Sequence, residues 1–128
     1  MDQISNMIIM MKNASTAGLP TTAFPYSKMK HAIADCLKKE GYIAGISKKM
    51  RKSVPVLEVE LVYVNGVPKI HDVERISKQS RRVYMGASEI RPIKNNFGLL
   101  VLSTPKGILS GKDAKKELVG GEALFKIW

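Results

Sequence analysis

The sequence predicts an α+β protein with an N-terminal α/β module, two helices on a small sheet, followed by a β-rich C-terminal module with one short helix. Three observations carry this prediction. Apolar residues recur twice at helical spacing near the N-terminus, a strand-like alternation follows, and short β-like runs separated by turns fill the second half. We expect the modules to span residues 1–66 and 67–128, with the border between Tyr63 and Ile76.

Two helices are predicted in the first 41 residues. The first covers residues 2–15, where four apolar side chains share one face: Ile4, Met7, Ile8 and Met11. Ser27 has the side chain of a good N-cap for the second helix, and Gly41 is suited to end it. The intervening residues 17–25 contain Gly18, Pro20 and Pro25, which interrupt any helix and predict a connection without one.

The rest of the N-terminal module reads as strands. Residues 42–46 predict a first strand, and the basic run at 48–52 is expected at a hairpin tip. Residues 57–63 alternate apolar and polar side chains, with Glu58 and Glu60 on the polar face. Asn65-Gly66 predicts a tight turn after this strand.

The C-terminal module is expected to be mostly β. Four β-like runs are predicted at residues 69–76, 82–85, 99–103 and 122–127, with turns that include residues 95–98 and 105–107. One helix interrupts them, since Ser110 and Asp113 resemble a capping box and Gly120-Gly121 is a suitable helix end.

Charge points to a polyanionic partner. The chain has 21 Lys and Arg against 11 Asp and Glu, a net charge of +10, and both halves are basic. A basic surface attracts phosphates because each neutralised phosphate releases a counterion. On charge alone, a basic protein without such a partner remains the alternative. Cys36 is the single cysteine and no run of about 18 apolar residues occurs, so we expect no disulfide, no membrane association and a cytoplasmic location.

No catalytic pattern is visible, and we expect no enzyme, no cofactor, no metal and no small-molecule substrate. His31 and His71 lie far apart in the sequence, and the common nucleophile, zinc and phosphate-loop motifs are missing. Glu58 and Glu60 could in principle pair for acid–base chemistry, but an ion-paired or solvated strand face is the favoured interpretation.

Weaker local signals favour RNA. Lys28 and Lys30 fall in the first turn of the second helix, where the helix dipole disfavours cations, so an external phosphate is one explanation and a solvated basic turn is the other. Basic residues cluster again at 75–82. Ser103 and Thr104 bring two hydroxyls to the tight loop Pro105-Lys106-Gly107, which suits contacts with base edges and 2′-hydroxyls in a minor groove; a plain turn is the other interpretation. Aromatic residues make up only 6% of the chain, which favours recognition by shape over a stacking platform.

These landmarks together resemble the bacterial family of the eighth small-subunit ribosomal protein, from end to end. The matching segments are Asp2-Gln3-Ile4, Lys12-Asn13-Ala14, Pro25 with Ser27-Lys28-Met29-Lys30, Lys39 to Ile43, Arg75 to Lys78, Arg82-Val83-Tyr84, Ser103-Thr104, Lys106-Gly107, Gly120-Gly121-Glu122 and the final Trp128. The spacing of Lys106-Gly107 to Gly120-Gly121-Glu122 is the most diagnostic piece.

The resemblance implies a structural component of the small ribosomal subunit that binds the central domain of its RNA and helps to organise the platform. It implies contacts with neighbouring small-subunit proteins, notably the fifth, with the twelfth as a further candidate. The RNA-binding residues carried over from the family are Lys12, Asn13, Ser27, Lys28, Lys30, Arg75, Lys78, Arg82, Tyr84, Ser103, Thr104, Lys106, Gly107, Gly121 and Glu122.

The chain departs from the family pattern at several positions. Pro105 replaces a serine before Lys106-Gly107, Met10 replaces an arginine, Ala87 replaces a lysine, and Gln79-Ser80 replace a Pro-Gly turn. These departures leave open which individual basic residues contact phosphate. The alternative function is a freestanding RNA- or DNA-binding regulator with the same fold, such as a translational repressor. The resemblance also implies that some family members repress translation of their own messenger RNA.

Overall fold

The computed structural model describes residues 3–78, 80–90 and 98–128, which form two compact units, Gln3–His71 and Asp72–Trp128. The described residues contain both helices and sheets, so the predicted α+β class is confirmed. The border predicted after residue 66 precedes the one between the units, which lies between His71 and Asp72.

Two helices pack in the N-terminal unit, α1 (Gln3–Thr16) and α2 (Lys28–Lys39). The apolar face predicted for α1 is buried: Ile4, Met7, Ile8 and Met11. Asp2, the predicted first residue of this helix, lies outside the described residues. At α2 the hydroxyl of Ser27 accepts the backbone N–H of Lys30 at 3.1 Å, which confirms the predicted N-cap. Gly41 follows the helix with φ +84°, as a helix-ending glycine does.

The sheet of this unit has three antiparallel strands in the order β1-β3-β2: β1 (Thr21–Pro25), β2 (Ile43–Arg51) and β3 (Val54–Leu61). The connection predicted at residues 17–25 therefore contains a strand that pairs with β3. Of the basic run at 48–52, only Lys52 lies at the predicted hairpin tip. The rest of the run continues β2 as far as Arg51, and the tip is formed by Lys52 and Ser53, both with positive φ.

A short hairpin follows, β4 (Tyr63–Val64) and β5 (Val67–Pro68). Asn65 and Gly66 connect its strands with φ of 52° and 80°. Positive φ at both central residues is the conformation that the right-handed twist of a two-residue hairpin requires, and this confirms the predicted turn.

The C-terminal unit is built around one five-stranded sheet. Its strands are β6 (Val73–Arg75), β7 (Tyr84–Met85), β8 (Leu99–Thr104), β9 (Gly107–Ser110) and β10 (Gly121–Ile127). β10 pairs with β6 and β7 along one edge and with β8 along the other, and β9 pairs with β8. All these pairs are antiparallel.

A short helix α3 (Gly111–Lys116) follows β9, and Ala87–Glu89 form a single 3-10 turn. The hydroxyl of Ser110 accepts the N–H of Asp113 at 3.1 Å, so the predicted cap is confirmed. The helix ends before Gly120-Gly121, because Leu118 already has φ +57°. β9 was not predicted, and the turn expected at residues 95–98 lies outside the described residues except for Gly98.

One face of the C-terminal sheet forms a core under α3. Its buried members are Ile90, Leu100, Leu102, Ala114 and Ala123. Neighbouring side chains on a strand point to opposite faces, so the residues next to these core positions point away from the core. Ser103 follows Leu102, Glu122 precedes Ala123, and Tyr84 precedes Met85, which also packs against this core. The fold thus places three polar side chains on the other face.

Candidate RNA interface

A row of three polar side chains crosses the C-terminal sheet. Glu122 on the central strand pairs directly with Tyr84 on one side and with Ser103 on the other. Directly opposed residues of antiparallel strands have Cβ atoms about 4.5 to 5.5 Å apart, so these side chains are neighbours on one face. The row brings together an aromatic ring, a carboxylate and a hydroxyl from three separate segments of the sequence.

Each group of the row has a distinct chemical character. Tyr84 is 69% exposed, which leaves its ring and phenol open to a ligand. The carboxylate of Glu122 accepts a hydrogen bond from the Arg82 guanidinium at 3.0 Å, and this ion pair fixes its position and offsets its charge. The hydroxyl of Ser103 has no hydrogen-bond partner among the described residues. The row therefore places three groups side by side: the Ser103 hydroxyl, which can donate and accept a hydrogen bond, the Tyr84 ring, which can stack, and the Glu122 carboxylate, which is held in position as an acceptor.

A groove surrounds this row. Residues that line it are Tyr84, Met85, Gly86, Glu89, Ser103, Thr104, Pro105, Gly120, Gly121 and Glu122. Sequence reasoning missed Met85, Gly86, Glu89, Pro105 and Gly120 as lining residues. A signal for Gly120 was present in the pair Gly120-Gly121, which was interpreted as a helix end and as part of the family resemblance, with only Gly121 named as an RNA-binding residue.

The two glycines are needed for close packing of the strands. A Cβ at Gly121 would stand 2.1 Å from the carbonyl oxygen of Ser103, and one at Gly120 would stand 2.2 Å from that of Met85. Real Cβ atoms do not approach so closely, so any other residue would force the backbones apart. Gly121 therefore has a structural reason to be glycine, whatever it contacts outside the protein.

The β8–β9 turn borders the groove. Thr104 donates its hydroxyl hydrogen to the Gly107 carbonyl at 2.8 Å, and its oxygen accepts the Lys106 N–H at 3.1 Å. We expected this hydroxyl to point outward toward RNA; it holds the turn instead. The ammonium group of Lys106 lies 3.2 Å from a carboxylate oxygen of Glu117, an exposed ion pair that an external phosphate can replace at small cost.

Arg82 and Tyr84 are presented by a loop anchored at Ser77. Ser77 is fully buried, and its hydroxyl accepts the Val83 N–H at 2.8 Å and donates to the Val83 carbonyl at 3.2 Å. Lys78 and Arg81 exchange backbone hydrogen bonds. Of the basic residues expected here, Lys78 is exposed, whereas the Arg75 guanidinium donates to the Leu124 carbonyl inside the sheet.

Five predicted residues belong to the N-terminal unit. Lys12 and Asn13 lie on α1, and Ser27 is occupied as the cap of α2. Lys28 is exposed, but Lys30 is only 6% exposed and its ammonium donates to the Pro25 carbonyl at 3.1 Å. Sequence reasoning treated the two lysines alike, and the structure gives them different surroundings.

Of the two carboxylates considered for acid–base chemistry, Glu58 has a structural explanation. Glu58 accepts hydrogen bonds from Lys49 at 3.0 Å and from Arg51 at 3.4 Å. Elsewhere in the N-terminal unit, burial raises the pKa of the Tyr42 phenol, and the negative charge of Glu40 adds to the rise. Within residues 3–78, 80–90 and 98–128, no group of three His, Cys, Asp or Glu side chains could hold a metal ion. No helix in these ranges is long and apolar enough to cross a membrane.

Comparison with known proteins gives one consistent result. The family described as Ribosomal protein S8 matches residues 2–128. Small ribosomal subunit protein uS8 of Caulobacter sp. (strain K31) is 41% identical over 128 residues, covering 99% of this chain and 97% of the relative. The protein of the same name from Oleidesulfovibrio alaskensis is 43% identical over 127 residues, covering 99% and 98%.

A basic α+β chain with these relatives is a ribosomal protein by class. Within that class, the chain belongs to the ribosomal protein S8 family. The resemblance predicted from the sequence is thereby confirmed.

Proposed function

We propose that the chain is a primary RNA-binding component of the small ribosomal subunit, located in the ribosome. It binds the central domain of the ribosomal RNA and helps to organise the platform beside the fifth small-subunit protein and the twelfth. Its role is structural and not enzymatic. The observation that carries this proposal is the row Tyr84–Glu122–Ser103, which three strands place side by side above a groove.

The chemistry of the row suits RNA more than a small metabolite. A free serine hydroxyl and a held carboxylate can exchange hydrogen bonds with 2′-hydroxyls and base amino groups, and the exposed tyrosine ring can stack on a base or sugar. Gly121 lines the groove and allows the strands to approach closely. Lys28, Lys78 and Lys106 would contact phosphates, which position the RNA without reading its sequence.

Serine 103 gives the sharpest test. Ser103→Ala removes one hydroxyl that has no hydrogen-bond partner in the described part of the chain, so stability should be unchanged. Affinity for a central-domain RNA fragment should fall by about 1 to 2 kcal/mol, since a desolvated RNA group loses its partner. Affinity for an unrelated duplex of equal length should stay the same. Both are measured by equilibrium titration at one salt concentration.

Ser47→Ala is the matched control, because Ser47 is an exposed serine of β2 in the N-terminal unit. It should bind both RNAs as the unmodified chain does. Equal losses on both RNAs with Ser103→Ala, or no loss on either, would remove the row from the recognition site. Failure of the unmodified chain to prefer the central-domain fragment would favour a regulator with another target.

A further inference from the structure

The outer half of the β2–β3 hairpin carries an unusual density of positive charge. Residues 48–52 contain four of the nine Lys and Arg residues of the first 64, and all five side chains are exposed. Alternate side chains of a strand point to opposite faces, so exposure of successive residues means that neither face of this segment is covered. At Lys48 and Lys49 the partner residues of β3 also pair with β1, and from Met50 outward the segment is a two-stranded ribbon.

The charges of this ribbon are held in place by its own residues. On one face Lys49 and Arg51 flank Glu58, which is only 18% exposed and is their carboxylate partner. On the other face the ammonium of Lys48 lies 4.2 Å from the centre of the Tyr26 ring. Such a contact fixes a lysine without neutralising it.

Lys52 forms the tip of the ribbon. It stands in the turn with φ 49°, and no partner for its ammonium lies within the described part of the chain. Four cations and one carboxylate leave a local excess of three positive charges on a small element. Mutual repulsion of these cations weakens the free protein slightly, and an anionic partner relieves it.

We propose that this basic hairpin, residues 48–52, is a further RNA-binding element that grips the phosphate backbone of a duplex without reading its sequence. This inference rests on the proposed function, which makes RNA the partner. Cations on both faces allow the ribbon to lie between two rows of phosphates, such as those that border a groove of a duplex. Lysine contacts phosphate as a point charge, and the ribbon offers little to read a base edge.

The test removes two charges while the fold is preserved. Lys48→Met keeps an unbranched side chain against the Tyr26 ring. Lys52→Asn places at the tip a residue that tolerates positive φ. The double variant should bind the central-domain fragment and the unrelated duplex more weakly by the same factor, about tenfold at low salt. The slope of log K against log salt should become shallower by about 1 to 2.

Lys112→Met with Lys115→Asn is the charge-matched control, since both lysines are exposed on α3. It should change the slope less than the hairpin variant does. An equal change would show that net charge and not the hairpin is responsible. An unchanged slope in the hairpin variant, with thermal unfolding like that of the unmodified chain, would also overturn the proposal. If the double variant unfolds, Lys52→Asn alone serves, with about half the effect.

Glu58→Gln changes the net charge of the hairpin in the opposite direction from the lysine substitutions. It removes the one negative charge among the cations, so it should tighten binding to both RNAs and steepen the slope by up to about 1. A hairpin whose ion pairs serve only stability would bind no better. If the unmodified chain fails to prefer the central-domain fragment, the proposed function fails, while the slopes on the unrelated duplex still decide the role of the hairpin.

Discussion

At the scale of single residues, neighbouring lysines on one helix turn have different roles. Lys30 is 6% exposed and donates to the Pro25 carbonyl, whereas Lys28 is exposed. Lys30→Met keeps the aliphatic stem but leaves this carbonyl without its partner, so we expect it to lower the unfolding free energy by about 1 to 3 kcal/mol. Lys28→Met should leave stability unchanged and weaken binding to specific and unrelated RNA alike. Urea unfolding and RNA titration measure the two effects.

The opposite pattern would contradict this assignment. If Lys30→Met were as stable as Lys28→Met, the contact to Pro25 would contribute nothing and the ammonium would be available to phosphate. Sequence reasoning found the cap at Ser27 because capping is a local effect, governed by residues three apart. It could not find the partner of Lys30, because the Pro25 carbonyl becomes an acceptor only once β1 and α2 have formed around it.

At the scale of elements, the β8–β9 turn depends on one side chain. Thr104→Val keeps the shape but removes both hydrogen bonds to Lys106 and Gly107. We expect it to lower stability by about 1 to 2 kcal/mol and to weaken binding to the central-domain fragment, because the turn loses its fixed geometry. Thr104→Ser retains the hydroxyl and should behave like the unmodified chain. Unfolding and titration of both variants check this, and a Val variant with full stability would show that the hairpin strands alone set the turn.

Local patterns predicted the capped helices and the alternating strand. They missed the strand segments that form only because another strand pairs with them. β1 contains Pro25 and follows a loop, and it becomes a strand because β3 pairs with it. β9 is only four residues long and depends on β8 in the same way. Lys48 to Arg51 have low strand propensity, yet they extend β2 because residues 54–57 pair with them.

The candidate site, too, was predictable only where its signals are local. The loops that contain hydroxyl residues and glycines were recognisable in the sequence because few residue types suit tight turns. That Tyr84, Glu122 and Ser103 form one row could not be deduced, since it depends on the register of three strands distant in sequence. The resemblance to a family named these residues, and the strand register places their side chains next to one another.

At the scale of the whole molecule, the basic charge is distributed over both units. Residues 3–71 carry ten Lys and Arg against four Asp and Glu, and residues 72–128 carry eleven against six. Each unit therefore has the charge needed to contact phosphates on its own. A ribosomal protein bound through both units should stay on its particle under salt conditions that release a protein held by one patch.

Sedimentation of the tagged chain from a cell lysate tests the central claim most directly. We predict that the protein migrates with small ribosomal subunits. A variant combining Ser103→Ala, Lys48→Met and Lys52→Asn should shift toward the free pool as salt is raised, while Ser47→Ala does not. Migration of the unmodified protein apart from small subunits, bound to assorted nucleic acid or to none, would contradict the account.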